Sequence, residues 1–389
     1  MITSIKLKIF LQYTVFLALS AINKVIPHNK RKILIYVNLD FRDNVKAMFD
    51  YLVENGYNNK YCITCVCADY EKYLNVGIPN VKFVSKPRGV LYFLSAAYVF
   101  YCNGKYPILP GRNQQVIQMW HGAPFKAPDE GMRKLHTRWF RYYTTVLSTS
   151  KFLIPTWSHH FSFPAEKIFV GGYPRCDLLF MGNPNYDFGS YKKIILWAPT
   201  FRKSKMLGYD DTESNEIIPL IKSTEFQQIN EVLKGMGCKV VVKLHPSQDL
   251  DNYNLVNMDH FILLSQQDFA SKGMDLYRFM AQCDAMITDY SSIFVDYLLL
   301  DRPLGFTIDD EDEYLANRGF SLENPDSYRA GMKIKNMDEF IKFCKEVVDG
   351  VDQFKDERER VNGLLNDCRG GHYSENLLKY VGIYGNSQQ

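Results

Sequence analysis

A chain of 389 residues, 46% hydrophobic and 23% charged, is too long for one ordinary core and has the composition of a folded protein of two domains, without repeats or low-complexity tracts. Its formal net charge of +3 is too mild for a nucleic-acid partner, since such proteins carry a strongly basic face. Nine cysteines, an odd set scattered through apolar runs, argue against a secreted disulfide framework and for a reducing cytoplasm.

At the N-terminus, Ile9 to Leu19 is largely apolar but is interrupted by Gln12 and Thr14 and flanked by Lys6, Lys8 and Lys24. A bilayer-crossing helix needs about 20 apolar residues, so this shorter stretch predicts an interfacial helix within residues 1–30, lying on a membrane rather than through it. Ala18 and Ser20 would suit leader cleavage, but free cysteines and a strand starting near Arg31 favour retention on a cytoplasmic enzyme. From Lys32 onward, short β-rich apolar runs alternate with helical stretches, the pattern of a parallel sheet with crossover helices. Strands are expected at Ile33 to Val37, Tyr61 to Cys67, Tyr98 to Cys102, Gln115 to Trp120 and Thr145 to Thr149, giving a doubly wound domain over 31–185. Cys62, Cys65 and Cys67 lie on one of these runs, with no histidine or second pair at zinc-ligand spacing, and read as core. A Gly, Pro and Asn-containing linker from Gly182 to Gly189 breaks the rhythm. It resumes at Lys193 to Trp197, Lys239 to Leu244, Phe261 to Leu264, Asp284 to Thr288 and Pro303 to Phe306, a second such domain over 186–369, followed by a tail at 370–389.

Two Rossmann-like domains are expected to face a central cleft, with ligands beyond the carboxyl ends of the strands. Trp120-His121-Gly122, Ala198-Pro199-Thr200, His245-Pro246 and Asp289-Tyr290-Ser291-Ser292 each follow an expected strand. Neither half has a glycine-rich dinucleotide fingerprint or a phosphate loop after its first strand, which disfavours nicotinamide and ATP chemistry.

His121, in WHGAPFK, sits between a strand end and a turn that lets backbone approach a ligand. Imidazole titrates near neutrality, so it can take the proton of an attacking hydroxyl. Lys126 adds charge to the same loop or merely solvates it. His245, in VVVKLHP, follows an apolar strand beside a proline and can donate to a phosphate oxygen. Histidines 28, 136, 159, 160, 260 and 372 lack such a setting and are assigned to surface or packing. Ser291 and Ser292 are expected in the first turn of a helix running through Asp296 and Tyr297 to Leu300, where backbone amides bind phosphate. Asp296 would lie one turn deeper and accept from a sugar or polyol hydroxyl. Arg175, in GGYPRCD, and Arg202, in APTFR, could clamp phosphate, with Asp177 orienting Arg175. No Asp-x-Asp triplet stands in a strand-end loop, which argues against a metal-dependent diphosphate site; neither metal nor cofactor is expected.

The ordered set WHGAPFK, GGYPRCDLLF, ILWAPTFR, KLHP and ITDYSSIFVDYLLL, spanning roughly residues 115 to 306, resembles the CDP-glycerol glycerophosphotransferase family of teichoic acid and capsule synthesis. The resemblance implies a GT-B architecture with the nucleotide bound mainly by the C-terminal domain. It also implies transfer of glycerol phosphate from CDP-glycerol to a lipid-linked glycan or growing polymer with release of CMP, and peripheral attachment to the inner membrane face. By the same resemblance His121 is the base, with Gly122, Ala123, Pro124 and Phe125 lining its loop, and Arg175, Pro199, Thr200, Lys243, Leu244, His245, Ser291, Ser292 and Asp296 lie at the donor. Ala123 departs from the family, where threonine is frequent. CDP-ribitol as donor, or a sugar nucleotide on the same fold, stays open; residues 1 to 110 match only in general pattern, leaving acceptor and oligomeric state open.

Overall fold

The computed structural model describes residues 11–127, 139–182, 184–200, 218–244, 258–317 and 319–385. Among the described residues two compact units form. One gathers those within Met1–Gly122, Glu130–Asp177 and Gly370–Gln389, the other those within Ala123–Asp129 and Leu178–Arg369.

The first unit holds a sheet of seven parallel strands: β1 (Asn29–Tyr36), β2 (Cys62–Val66), β3 (Val81–Val84), β4 (Ala96–Tyr101), β5 (Gln115–Gln118), β6 (Thr145–Ser148) and β7 (Ile168–Val170). Their spatial order is β3-β2-β1-β4-β5-β6-β7, with the crossover beside β1 that marks a doubly wound sheet. Ile33, Leu34 and Ile35 of β1 are all buried, which a strand covered on both faces requires and which explains a continuous apolar run in place of alternation. The second unit repeats the plan with β8 (Lys193–Ala198), β9 (Cys238–Lys243), β10 (Phe261–Leu264), β11 (Ala285–Thr288), β12 (Leu304–Thr307) and β13 (Met332–Ile334), in the order β10-β9-β8-β11-β12-β13. The short strands β3, β7 and β13 go beyond the sequence expectation. Each has three or four residues, too few to display a period.

The covering helices follow from spacing. In Phe226–Met236 the buried Phe226, Ile229 and Leu233 share one face, and Gly237 ends the helix at φ 70°. Asn230 on the same face holds the start of β10, its Oδ1 accepting from the backbone N–H of His260 and of Phe261. Helix Met337–Asp349 buries Phe340, Phe343, Cys344 and Val347, with the Asn336 side chain capping the N–H of Glu339. The segment expected to be a tail contains helix Tyr373–Tyr380, whose Tyr373, Ser374, Leu377 and Leu378 are buried within the first unit. Of the three cysteines read as core, Cys65 and Cys67 are buried, but Cys62, at the start of β2, is exposed.

Helix Val15–Val25 is packed inside out. Its buried residues are the polar Ser20 and Asn23, while Val15, Leu17, Ile22 and Val25 are exposed, Val25 by 79%. Asn23 Nδ2 donates to the Leu109 carbonyl and to Gln114 Oε1, both at 2.9 Å, and Ser20 Oγ accepts from the Leu109 N–H at 3.0 Å. The helix thus docks through hydrogen bonds and turns its apolar side outward. Among the described residues no helix is long and apolar enough to cross a membrane.

Candidate active site

In the first unit the carboxyl end of β5 leads into Trp120, whose φ of 58° is left-handed. For a bulky residue that conformation costs about 1–3 kcal/mol and persists only where surroundings impose it. Here they do. The Trp120 N–H donates to Gln118 Oε1 at 3.0 Å, and its carbonyl accepts from Asn44 Nδ2 at 2.9 Å and from the Cys102 thiol at 3.0 Å. Burial pushes the Cys102 thiol well up, so it stays protonated and able to donate. The indole packs against Phe161, Trp157 and His160, with centroids 4.9, 6.4 and 5.6 Å away. His160, assigned from sequence to surface or packing, is thus part of the floor beneath this loop.

His121 stands on that platform, its ring 4.4 Å from the indole and inclined by 30°. It is exposed, whereas Gly122, Ala123, Pro124 and Phe125 are buried. Gly122 has φ 152°, which a side chain would resist. Phe125 packs edge-on to Phe294 at 5.0 Å, and its carbonyl accepts from the Ser321 N–H at 2.8 Å. Lys126 pairs with Phe320 in an antiparallel bridge, and its ammonium lies 5.6 Å from the Tyr314 ring. Residues 123–126 belong to the second unit, and these contacts lie within it.

Arg175 departs from the expectation of a phosphate clamp. Its side chain is 5% exposed, its Nη1 pairs with Asp43 Oδ1 at 2.7 Å, and its guanidinium sits 5.0 Å from the Tyr173 ring. Its backbone N–H donates to Asn44 Oδ1 at 3.1 Å. Asp177 does not serve as its partner carboxylate. Asp177 accepts from the backbone N–H of Tyr373 and Ser374 at 2.7 and 2.9 Å, and burial pushes its carboxyl up against the pull of those hydrogen bonds.

In the second unit, β8 and β11 lie side by side, so Ala198-Pro199-Thr200 and Thr288-Asp289 emerge together at their carboxyl ends. Thr288 Oγ1 donates to the Ala198 carbonyl at 2.8 Å. Asp289 Oδ2 accepts from both the N–H and the hydroxyl of Thr200, each at 2.8 Å. Ser291 and Ser292 precede the short helix Ile293–Tyr297 rather than filling its first turn. Ser292 is its N-cap, and Ser291 Oγ accepts from the Ile293 N–H at 3.4 Å. Asp296 is buried, and its Oδ2 accepts from the Tyr277 hydroxyl at 2.6 Å. Lys243 is buried at the end of β9, its ammonium donating to the Leu244 carbonyl at 2.8 Å and lying 5.2 Å from the Phe269 ring. The Leu244 side chain is 1% exposed and packs into the apolar core. Arg202 and His245 lie outside the described residues.

Asp43, Asn44 and Tyr277 were not singled out from sequence, and Asp289 was named there only as the first residue of its motif. Asp43 and Asn44 open the helix after β1, farther from that strand's end at Tyr36 than His121 is from the end of β5 at Gln118, so the strand-end rule did not reach them.

Residues 19–382 match the family described as CDP-Glycerol:Poly(glycerophosphate) glycerophosphotransferase. A teichoic acid poly(glycerol phosphate) polymerase of Bacillus spizizenii is 28% identical over 324 residues, 76% of this chain and 78% of that one. A teichoic acid poly(ribitol-phosphate) polymerase of the same organism is 24% identical over 349 residues, 83% of this chain and 52% of that one. The solved structure of the H548A variant of the wall teichoic acid polymerase TagF superposes with a TM-score of 0.72 at 19% identity, over 95% of this chain and 92% of that one, a likeness of fold. With a family match over nearly its whole length and two parallel sheets of the same fold, the chain belongs to the CDP-glycerol:poly(glycerophosphate) glycerophosphotransferase family, transferases of teichoic acid biosynthesis.

Proposed function

We propose that the chain transfers glycerol phosphate from CDP-glycerol to a hydroxyl of a lipid-linked glycan or growing polymer, releasing CMP at the cytoplasmic face of the membrane. The observation that carries this reading is His121, an exposed imidazole at a strand end, its ring against the Trp120 indole and followed by the buried Gly122, Ala123, Pro124 and Phe125. In the proposed step the acceptor oxygen attacks the β-phosphorus, its proton passes to His121, and the bond from phosphorus to the bridging oxygen breaks, leaving that electron pair on CMP. Ser291, Ser292 and the backbone N–H groups before Ile293 would donate to the diphosphate, with the Pro199–Thr200 loop beside them. His245 keeps the phosphate role read for it from the sequence. Positioning and fixed donors would supply most of the rate.

Peripheral attachment is supported by the inside-out helix. Its exposed Val15, Leu17, Ile22 and Val25 suit the apolar edge of a lipid headgroup layer, with Lys24, Lys30 and Arg31 exposed nearby for anionic lipid.

Product analysis tests the reaction class. The protein is incubated with acceptor membranes and CDP-glycerol, CDP-ribitol or a sugar nucleotide. CMP from CDP-glycerol supports the reading, CMP from CDP-ribitol alone moves the donor to ribitol, and nucleoside diphosphate from a sugar donor overturns it. The ribitol reading has support of its own in the similarity to a poly(ribitol-phosphate) polymerase.

A further inference from the structure

We propose that Asn44 is a positioning residue for proton transfer at His121. It is fully buried at the start of helix Asp43–Glu54 and joins three segments of the first unit. Its Nδ2 donates to the Trp120 carbonyl at 2.9 Å, and its Oδ1 accepts from the Arg175 N–H at 3.1 Å. The residues on both sides of these contacts are strained. Asp43 has φ 65° and Trp120 φ 58°, left-handed at non-glycine positions. Such strain persists where surrounding contacts over-determine the backbone and is concentrated at functional sites. Asp43 carries its share through the Arg175 guanidinium at 2.7 Å, so the Asp43-Asn44 pair grips the Arg175 loop by side chain and by backbone.

The consequence is chemical. The Trp120 peptide sets the direction of the next residue, and the indole is the surface on which the His121 ring lies. Without the Asn44 amide, the donor left to the Trp120 carbonyl among the described residues is the weak one of the Cys102 thiol. The left-handed turn then relaxes and the imidazole moves. Displacement of a base by about 1 Å costs on the order of 100-fold in rate while leaving ground-state binding nearly untouched. Asn44 touches neither donor nor acceptor in this scheme; it acts through His121, and the inference rests on His121 as the base.

The test is a double-mutant cycle on the full chain, with acceptor membranes and whichever of CDP-glycerol and CDP-ribitol turns over. Asn44→Ala is expected to lower kcat about 10- to 100-fold with donor KM changed less than about threefold, and to leave the residual rate of His121→Ala unchanged within about threefold. Asn44→Asp keeps an acceptor for Arg175 but loses the donor to Trp120, so it should behave like Asn44→Ala; it carries the same test if alanine unfolds the protein. A wild-type kcat for a folded Asn44 variant while His121→Ala is inactive overturns the positioning role alone. An equal loss in both backgrounds overturns it in favour of a purely structural role. Full turnover by His121→Ala overturns the base assignment itself, and with it this inference.

Discussion

Asp289 holds Thr200 by both of its donors, one carboxylate oxygen accepting the backbone N–H and the hydroxyl at 2.8 Å each. The loop after β8 is therefore fixed to the loop after β11 at the strand ends where the donor diphosphate is proposed to bind. Asp289→Ala removes the one oxygen that accepts both hydrogen bonds. Expected is a fall in kcat/KM for the CDP-polyol of about 10- to 100-fold in a folded protein, expressed mainly in KM. Unchanged kinetics would separate this staple from the donor site.

Arg175 tests structure against binding. If the ion pair with Asp43 is its role, Arg175→Ala leaves a carboxylate, itself 25% exposed, without its cation and lowers stability by about 3 kcal/mol. Donor affinity of the folded fraction, read by equilibrium binding, should hold within about threefold. A loss of donor affinity at unchanged stability would restore the phosphate clamp expected from the sequence.

Lys105 predicts a pH signature. Its ammonium lies 5.4 Å from the Tyr142 ring, which favours the cation, yet burial prevails and pushes it down to about 6. An unfolded lysine titrates near 10.5, so between about 6 and 10.5 the unfolded chain binds a proton that the folded one excludes, and this residue's contribution to stability rises with pH across that window. Lys105→Met removes this slope. Denaturant unfolding at pH 7 and pH 9.5 should show a larger gain for Lys105→Met at pH 7; equal differences at both pH values would contradict the burial.

The inside-out helix predicts lipid binding separable from folding. Leu17→Glu with Val25→Glu alters only exposed positions and should abolish cosedimentation with anionic vesicles while the melting temperature stays within about 2 °C. Asn23→Leu should do the reverse, because it removes the amide that donates to the Leu109 carbonyl and to Gln114 Oε1. Vesicle binding that survives the double glutamate variant would place any membrane contact elsewhere.

Much of the fold was legible because parallel strands are buried on both faces and read as unbroken apolar runs; all ten expected strands have counterparts, with ends shifted by a residue or two except the start of β1, which lies at Asn29 rather than Ile33. The missing strands are short ones whose pairing is decided by neighbours. Within the proposed site, the strand-end rule located His121 and the Thr200 and Ser291 loops, but not which side chains turn inward. Arg175 and Asp296 have the chemistry of ligand residues in the sequence, while their burial and partners depend on Asp43, 132 residues away, and Tyr277, 19 residues away, pairings that no local pattern displays. Asn44 was hidden for the same reason: its partners are 76 and 131 residues distant.

The most direct measurement follows the β-phosphorus. With CDP-glycerol labelled there and acceptor membranes present, the account predicts label entering the acceptor in equal amount to CMP released, with both lost in His121→Ala at near-normal donor binding. Label appearing only as free glycerol phosphate, or transfer persisting in His121→Ala, would contradict it.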